Sequence, residues 1–177
     1  MQNTQKQSAG FTLVELMVTI VVVAIVLAVG IPSIAQMKRS SELTTVTNEL
    51  VTALNMARSE AVRRGADVQV GPRGTWADGW NVGANLDDAD PDNWVVYREF
   101  QAPPKGAAVA IKTAAVPAIV NFEAIGNVSA VACFDITVAN SPTLRSVPIA
   151  LAGRISTCNV VCGNNANLWA NPPGCSH

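Results

Sequence analysis

From Leu16 to Met37 the chain runs for 22 residues without a charge, mostly Leu, Val, Ile, Ala and Met. As a helix rising about 1.5 Å per residue, this run spans about 33 Å, close to the roughly 30 Å of bilayer hydrocarbon. Thr19, Gly30 and Pro32 are among the exceptions within it, and Glu15 stands immediately before it. A lone ionised carboxylate at the edge of hydrocarbon is costly, so Glu15 calls for a partner. A cleaved secretory signal would take Lys6 as its n-region and Ala28-Val29-Gly30 as its cleavage site. Two features oppose that reading: Glu15 sits where such an h-region lacks acids, and the helical pattern continues past Gly30.

That pattern proceeds through "SSELTTVTNELVTALNMARSEAVRRG", where Leu43, Val46, Leu50, Leu54, Ala57 and Ala61 recur at spacings of three and four. Such spacing lines one face of a helix. Arg63 and Arg64 fall in the last turn, where cations suit the carbonyl end, and Gly65 is the expected residue just beyond it. One helix is therefore expected from Phe11 to Arg64, apolar all round in its first half and amphipathic in its second. Pro32 lacks an N–H and is expected to bend or loosen it.

From Asp67 onward the runs "DVQV", "WNVG", "WVVYREF", "AVAI", "AIVNF", "CFDITV" and "SVPIAL" are split by Gly, Pro, Asn and Asp clusters. Short β-branched and aromatic runs so punctuated predict an antiparallel sheet. One sheet face would pack on the helix stripe from Leu43 to Ala61, giving an α+β head on an apolar stem. The tail "CGNNANLWANPPGCSH" lacks periodicity and reads as a loop pinned by Cys175.

Among 177 residues the net charge is −1, which argues against a global basic field for nucleic acid. The one histidine is the terminal His177, so histidine catalysis or a histidine metal site is not expected. No nucleophile elbow, phosphate loop or paired-carboxylate motif appears, and neither an enzyme nor a cofactor is expected. Cys133, Cys158, Cys162 and Cys175 lie in the C-terminal third and read as disulfides of an oxidising compartment, rather than as a zinc site. Lys6 and the amino terminus before the run balance Lys38 and Arg39 after it, so orientation rests on the cysteines, which put the C-terminal part in the periplasm. Four cysteines allow three pairings. The preferred one joins Cys133 to Cys158, taken as neighbouring strands, and Cys162 to Cys175, closing the tail.

The polar leader ending in Gly10, then Phe11, "TLVEL" with Glu15, and the apolar run with Pro32 resemble the N-terminus of a type IV pilin or pseudopilin. The resemblance implies a prepilin leader over residues 1–10, cut by prepilin peptidase after Gly10, with Phe11 methylated. It implies a membrane and fibre-core helix over 11–37, an amphipathic helix over 38–65 and a β-rich head over 66–177. Glu15 and Pro32 become the assembly residues, Glu15 pairing with the new amine of Phe11 in its own or a neighbouring subunit. The partners implied are other minor and major pilins, or pseudopilins, met through the N-terminal helix. The place implied is the bacterial inner membrane, single-pass with the head in the periplasm, and then the fibre.

The head narrows this further. "ARSEAV" from Arg58's helix end, "WADGW", "FEAIGNVS" and "IALAGRISTC" resemble the GspH/FimT/FimU group of minor pilins and pseudopilins. The implied function is that of a minor type IV pilin that primes or caps assembly and supports twitching motility or adhesion. The alternatives are a GspH-like pseudopilin of type II secretion and a FimT-like pilin for DNA uptake. DNA-binding relatives carry a second basic residue shortly after the Gly-Arg, and here that position is Ser156. Arg154 and Arg145 alone neutralise little phosphate, so DNA binding is not favoured. "DADPDNWVVYRE" sets Asp88, Asp90, Asp92 and Glu99 at EF-hand spacing. Asn93 replaces the required glycine and Pro91 stiffens the loop, so an acidic hairpin loop is preferred to calcium.

Overall fold

The computed structural model describes residues 11–85, 94–113, 119–163 and 175–176. Gly10, the leader and the acidic trio Asp88, Asp90 and Asp92 lie outside the described residues. The chain divides into an N-terminal unit ending at Lys38 and a globular unit beginning at Arg39.

One helix, α1, runs Leu13–Arg64, two residues shorter at its start than the sequence suggested. Thr12 is the reason: its Oγ1 accepts the Glu15 N–H at 3.3 Å and its carbonyl accepts the Leu16 N–H at 3.2 Å, which makes it the N-cap. At the other end Gly65 turns left-handed at φ 64°. It and Ala66 both donate their N–H to the Ala61 carbonyl, satisfying an orphan acceptor of the last turn.

In the globular unit, Leu43, Val46, Leu50, Leu54, Ala57 and Ala61 are all buried, joined on the same face by Thr47 and Ala53. Thr47 spends its hydroxyl on the Leu43 carbonyl at 2.7 Å, so it enters the core without an orphan donor.

Seven strands fall on the seven β-rich runs: β1 Val68–Arg73, β2 Thr75–Asn85, β3 Trp94–Phe100, β4 Ala107–Thr113, β5 Val120–Phe122, β6 Ala132–Val138 and β7 Leu144–Ile149. Two short ones follow, β8 Thr157–Cys158 and β9 Cys175–Ser176. The single expected sheet is two antiparallel sheets, ordered β3-β2-β1-β5 and β4-β6-β7-β8-β9. One contiguous core joins them to the helix. Between the sheets Trp76 of β2 meets Phe134 of β6 edge-on with centroids 4.8 Å apart, and within the first sheet Trp80 of β2 stacks on Phe100 of β3 at 6.0 Å.

The disulfides differ from the preferred pairing. Cys133 bonds Cys162, and Cys158 bonds Cys175. Strand order explains this. Cys133 on β6 lies opposite Pro148 of β7, and Cys158 on β8 lies opposite Ser146 of β7. With β7 between them, two strand spacings of about 4.8 Å hold them farther apart than the roughly 7 Å a disulfide spans. Cys158 instead faces Cys175 directly across β8 and β9, so the end of the tail is a strand rather than loop.

Cys133 alternates with the core residues Ala132 and Phe134, and so projects from the outer face of its sheet. Lys112, its partner across β4, shares that face with Asp135. Lys112 Nζ donates to the Cys162 carbonyl at 2.6 Å, and Asp135 Oδ1 accepts the Cys162 N–H at 2.7 Å. These two contacts hold Cys162 over Cys133. Non-reducing proteolysis with mass mapping should recover peptides linking Cys133 to Cys162 and Cys158 to Cys175. A Cys133–Cys158 peptide would contradict the topology.

Candidate functional site

The N-terminal segment carries its chemistry in few atoms. Phe11 is 81 % exposed ahead of the helix. Thr12 and Glu15 occupy the first and last positions of a capping box, so Glu15 sits at the third residue of the first turn, where a carboxylate faces the partial positive charge of the free N–H groups. Beyond it, the described large apolar side chains from Leu13 to Met37 are all exposed, on every face. Thr19 gives its hydroxyl to the Leu16 carbonyl at 2.8 Å and so needs no outside partner. The helix runs on through Pro32. This segment is long and apolar enough to cross a membrane.

A second constellation lies in the globular unit, where three stretches distant in sequence meet. Arg58 of "ARSEAV" donates from Nε to the Gly126 carbonyl at 3.0 Å and from Nη2 to the Ala152 carbonyl at 3.2 Å. Gly126 belongs to the turn after β5, in one sheet, and Ala152 to the turn after β7, in the other. The Val128 N–H donates to the Leu151 carbonyl at 2.9 Å, locking the two turns side by side. Gly153, at φ 71°, approaches so closely that a Cβ there would lie 1.9 Å from the Gly126 oxygen. Arg58 thus clasps both sheets to the helix. Its guanidinium turns inward to these carbonyls. Glu60 takes the surface role, accepting hydrogen bonds from Arg63 and Arg64.

The remaining sequence-selected residues do not gather. Arg154 is exposed at the turn after β7, whereas Ser156, where a second basic residue would stand, is buried at 7 % exposure. Arg145 lies on β7 in a separate cleft with Ser40 and Asn159. Glu99 is a β3 residue facing Asn81, with its carboxylate 3.7 Å from Arg73. Among the described residues no cluster of His, Cys, Asp and Glu could hold a metal.

Arg58→Ala should lower the unfolding free energy by about 2 kcal/mol, as loss of hydrogen bonds from a charged donor requires. The midpoint of thermal unfolding of the detergent-solubilised chain should fall by roughly 4–8 °C, and an unchanged midpoint would refute the clasp. The hydrogen bonds of Arg63, then of Arg64, hold the Glu60 carboxyl below its ordinary value of 4.5. A depressed carboxylate stabilises the fold above that value and ceases to as pH falls through the lowered one. Circular dichroism melts at descending pH should therefore show less acid destabilisation in Glu60→Gln than in the parent chain.

Residues 46–153 match the family model described as type II transport protein GspH. Residues 5–31 match the prokaryotic N-terminal methylation motif. Two crystal structures of the type IV minor pilin FimU from Pseudomonas aeruginosa (strain PAO1) are similar in fold. One is 25 % identical with a TM-score of 0.53, covering 67 % of this chain and 90 % of that one. The other, in a second crystal form, is 22 % identical with a TM-score of 0.52, covering 65 % and 91 %. Comparison with curated proteins gave no match. Family and fold are those of structural pilins, not of enzymes. With the methylation motif ahead of the stem and the GspH match over the clasped head, the chain belongs to the GspH family of minor pilins and pseudopilins.

Proposed function

We propose that this chain is a minor type IV pilin that primes or caps a fibre. The observation that carries the reading is the stem: α1 exposes large apolar side chains on all faces from Leu13 to Met37, directly behind a methylation motif. Prepilin peptidase removes residues 1–10 after Gly10 and methylates Phe11. Residues 11–37 hold the subunit in the inner membrane, with residues 38–177 in the periplasm, and later enter the fibre core. Moving an apolar helix from lipid to packed helices gains little from hydrophobicity, so polar pairing and close packing must supply specificity. Glu15 supplies the polar pair by meeting the methylated amine of Phe11, and its place in the first turn keeps the two groups near each other. Pro32 leaves the Ala28 carbonyl without its usual helical donor, giving the stem a point of local give during transfer.

A second reading, a minor pseudopilin of type II secretion, draws on the family description itself. The same subunit chemistry would serve a different machine. Deletion separates them: loss of twitching supports the first, and loss of exoprotein release supports the second.

In cells, Glu15→Ala should cut the amount of this subunit in sheared filaments by about tenfold or more, as removal of one member of a buried ion pair predicts. Membrane levels should hold. Unchanged filament incorporation, measured by immunoblot, would remove Glu15 from the mechanism.

A further inference from the structure

At the start of the globular unit a cleft of about 380 Å³ opens beside the helix. Its polar lining is Ser40, Thr143, Arg145 and Asn159, and its apolar walls are Leu43, Pro142 and Leu144. Among the described residues that line it, none is acidic. One lip is fixed: Arg39 Nη1 donates to the Asn140 carbonyl at 2.9 Å, with Asn140 held left-handed at φ 58°. The Thr143 N–H donates to Ser141 Oγ at 3.3 Å within the same turn. A guanidinium, two hydroxyls and an amide over an aliphatic wall suit an anion attached to something apolar.

The position of the cleft in the chain names that ligand. Ser40 is the third residue after Met37, where the apolar run ends. Three residues reach at most about 11 Å however the chain bends, and the headgroup layer adds about 5–8 Å to each side of the hydrocarbon. The cleft's first lining residue therefore lies within reach of lipid phosphates. We propose that the cleft binds the headgroup phosphate of an anionic phospholipid, with Arg145 as the cationic partner, Ser40, Thr143 and Asn159 as donors, and Leu43 and Leu144 against the glycerol and first acyl carbons. The site rests on the reading that the stem crosses a bilayer. It gives the waiting subunit a lipid contact that must be surrendered when the stem leaves the membrane.

The test is native mass spectrometry of the full chain in detergent, titrated with dioleoylphosphatidylglycerol or dioleoylphosphatidylcholine. The parent chain should retain one phosphatidylglycerol at about tenfold lower lipid concentration than phosphatidylcholine, the scale of one charge-assisted hydrogen bond. Arg145→Gln should lose that preference, and Thr143→Phe, which fills the cleft without touching its charge, should weaken retention of both lipids. Lys105→Gln, an exposed cation at another turn, should behave as the parent. Circular dichroism reports folding; if Arg145→Gln unfolds, Thr143→Phe decides. Millimolar inorganic phosphate should not displace the lipid. Lipid retention unchanged in the folded variants, no discrimination by the parent, or displacement by phosphate would each overturn the proposal, the last by making this a site for free anions. Filament immunoblots report separately on the pilin reading, so a chain that holds phosphatidylglycerol but never enters filaments keeps this site and loses that function.

Discussion

An apolar helix with no cover of its own has two stable surroundings: lipid, or other helices like itself. The stem from Leu13 to Met37 is in that position, because its described large apolar side chains are exposed on every face. Folding of the single chain cannot satisfy it, and water penalises it by about 25 cal/mol for each Å² of apolar surface left exposed. What this protein does follows from where that surface goes. Two hydroxyls at its start are spent locally, with Thr12 capping the first turn and Thr19 bonding back to Leu16. Glu15 is a carboxylate whose charge is expensive in either apolar setting unless something positive meets it.

The same helix, past Arg39, solves the opposite problem. There the apolar residues narrow to one stripe, and the two sheets cover it. Arg58 is the residue that ties the parts together, since its guanidinium reaches the turn after β5 and the turn after β7 at once. The close approach of the two turns requires that Gly153 carry no Cβ, since one would lie 1.9 Å from the Gly126 oxygen. The outer face of the second sheet is secured separately, by the Lys112–Asp135 grip on Cys162 and the disulfide to Cys133.

Much of this was readable in advance where the signal is local. The stripe Leu43, Val46, Leu50, Leu54, Ala57 and Ala61 declares its face by spacing, because helical period is a property of neighbouring residues. The β-rich runs declare themselves by composition for the same reason. The division into two sheets was not readable, since which strand pairs with which depends on long-range closure that no single run encodes. The cysteine pairing failed on the same ground: β7 intervenes between Cys133 and Cys158, and only strand order reveals it. The clasp was half visible. Its three stretches could be picked out as family marks, but which carbonyls Arg58 serves depends on two turns brought together only by the fold.

The account stands on the stem being kept in the mature protein and used between subunits. Intact-mass analysis of this chain recovered from sheared filaments tests that most directly. The expected species begins at Phe11, carries one added methyl group on its terminal amine and retains the apolar run through Met37. A species that starts at Met1, or one cut near Gly30 and lacking the stem, would contradict it.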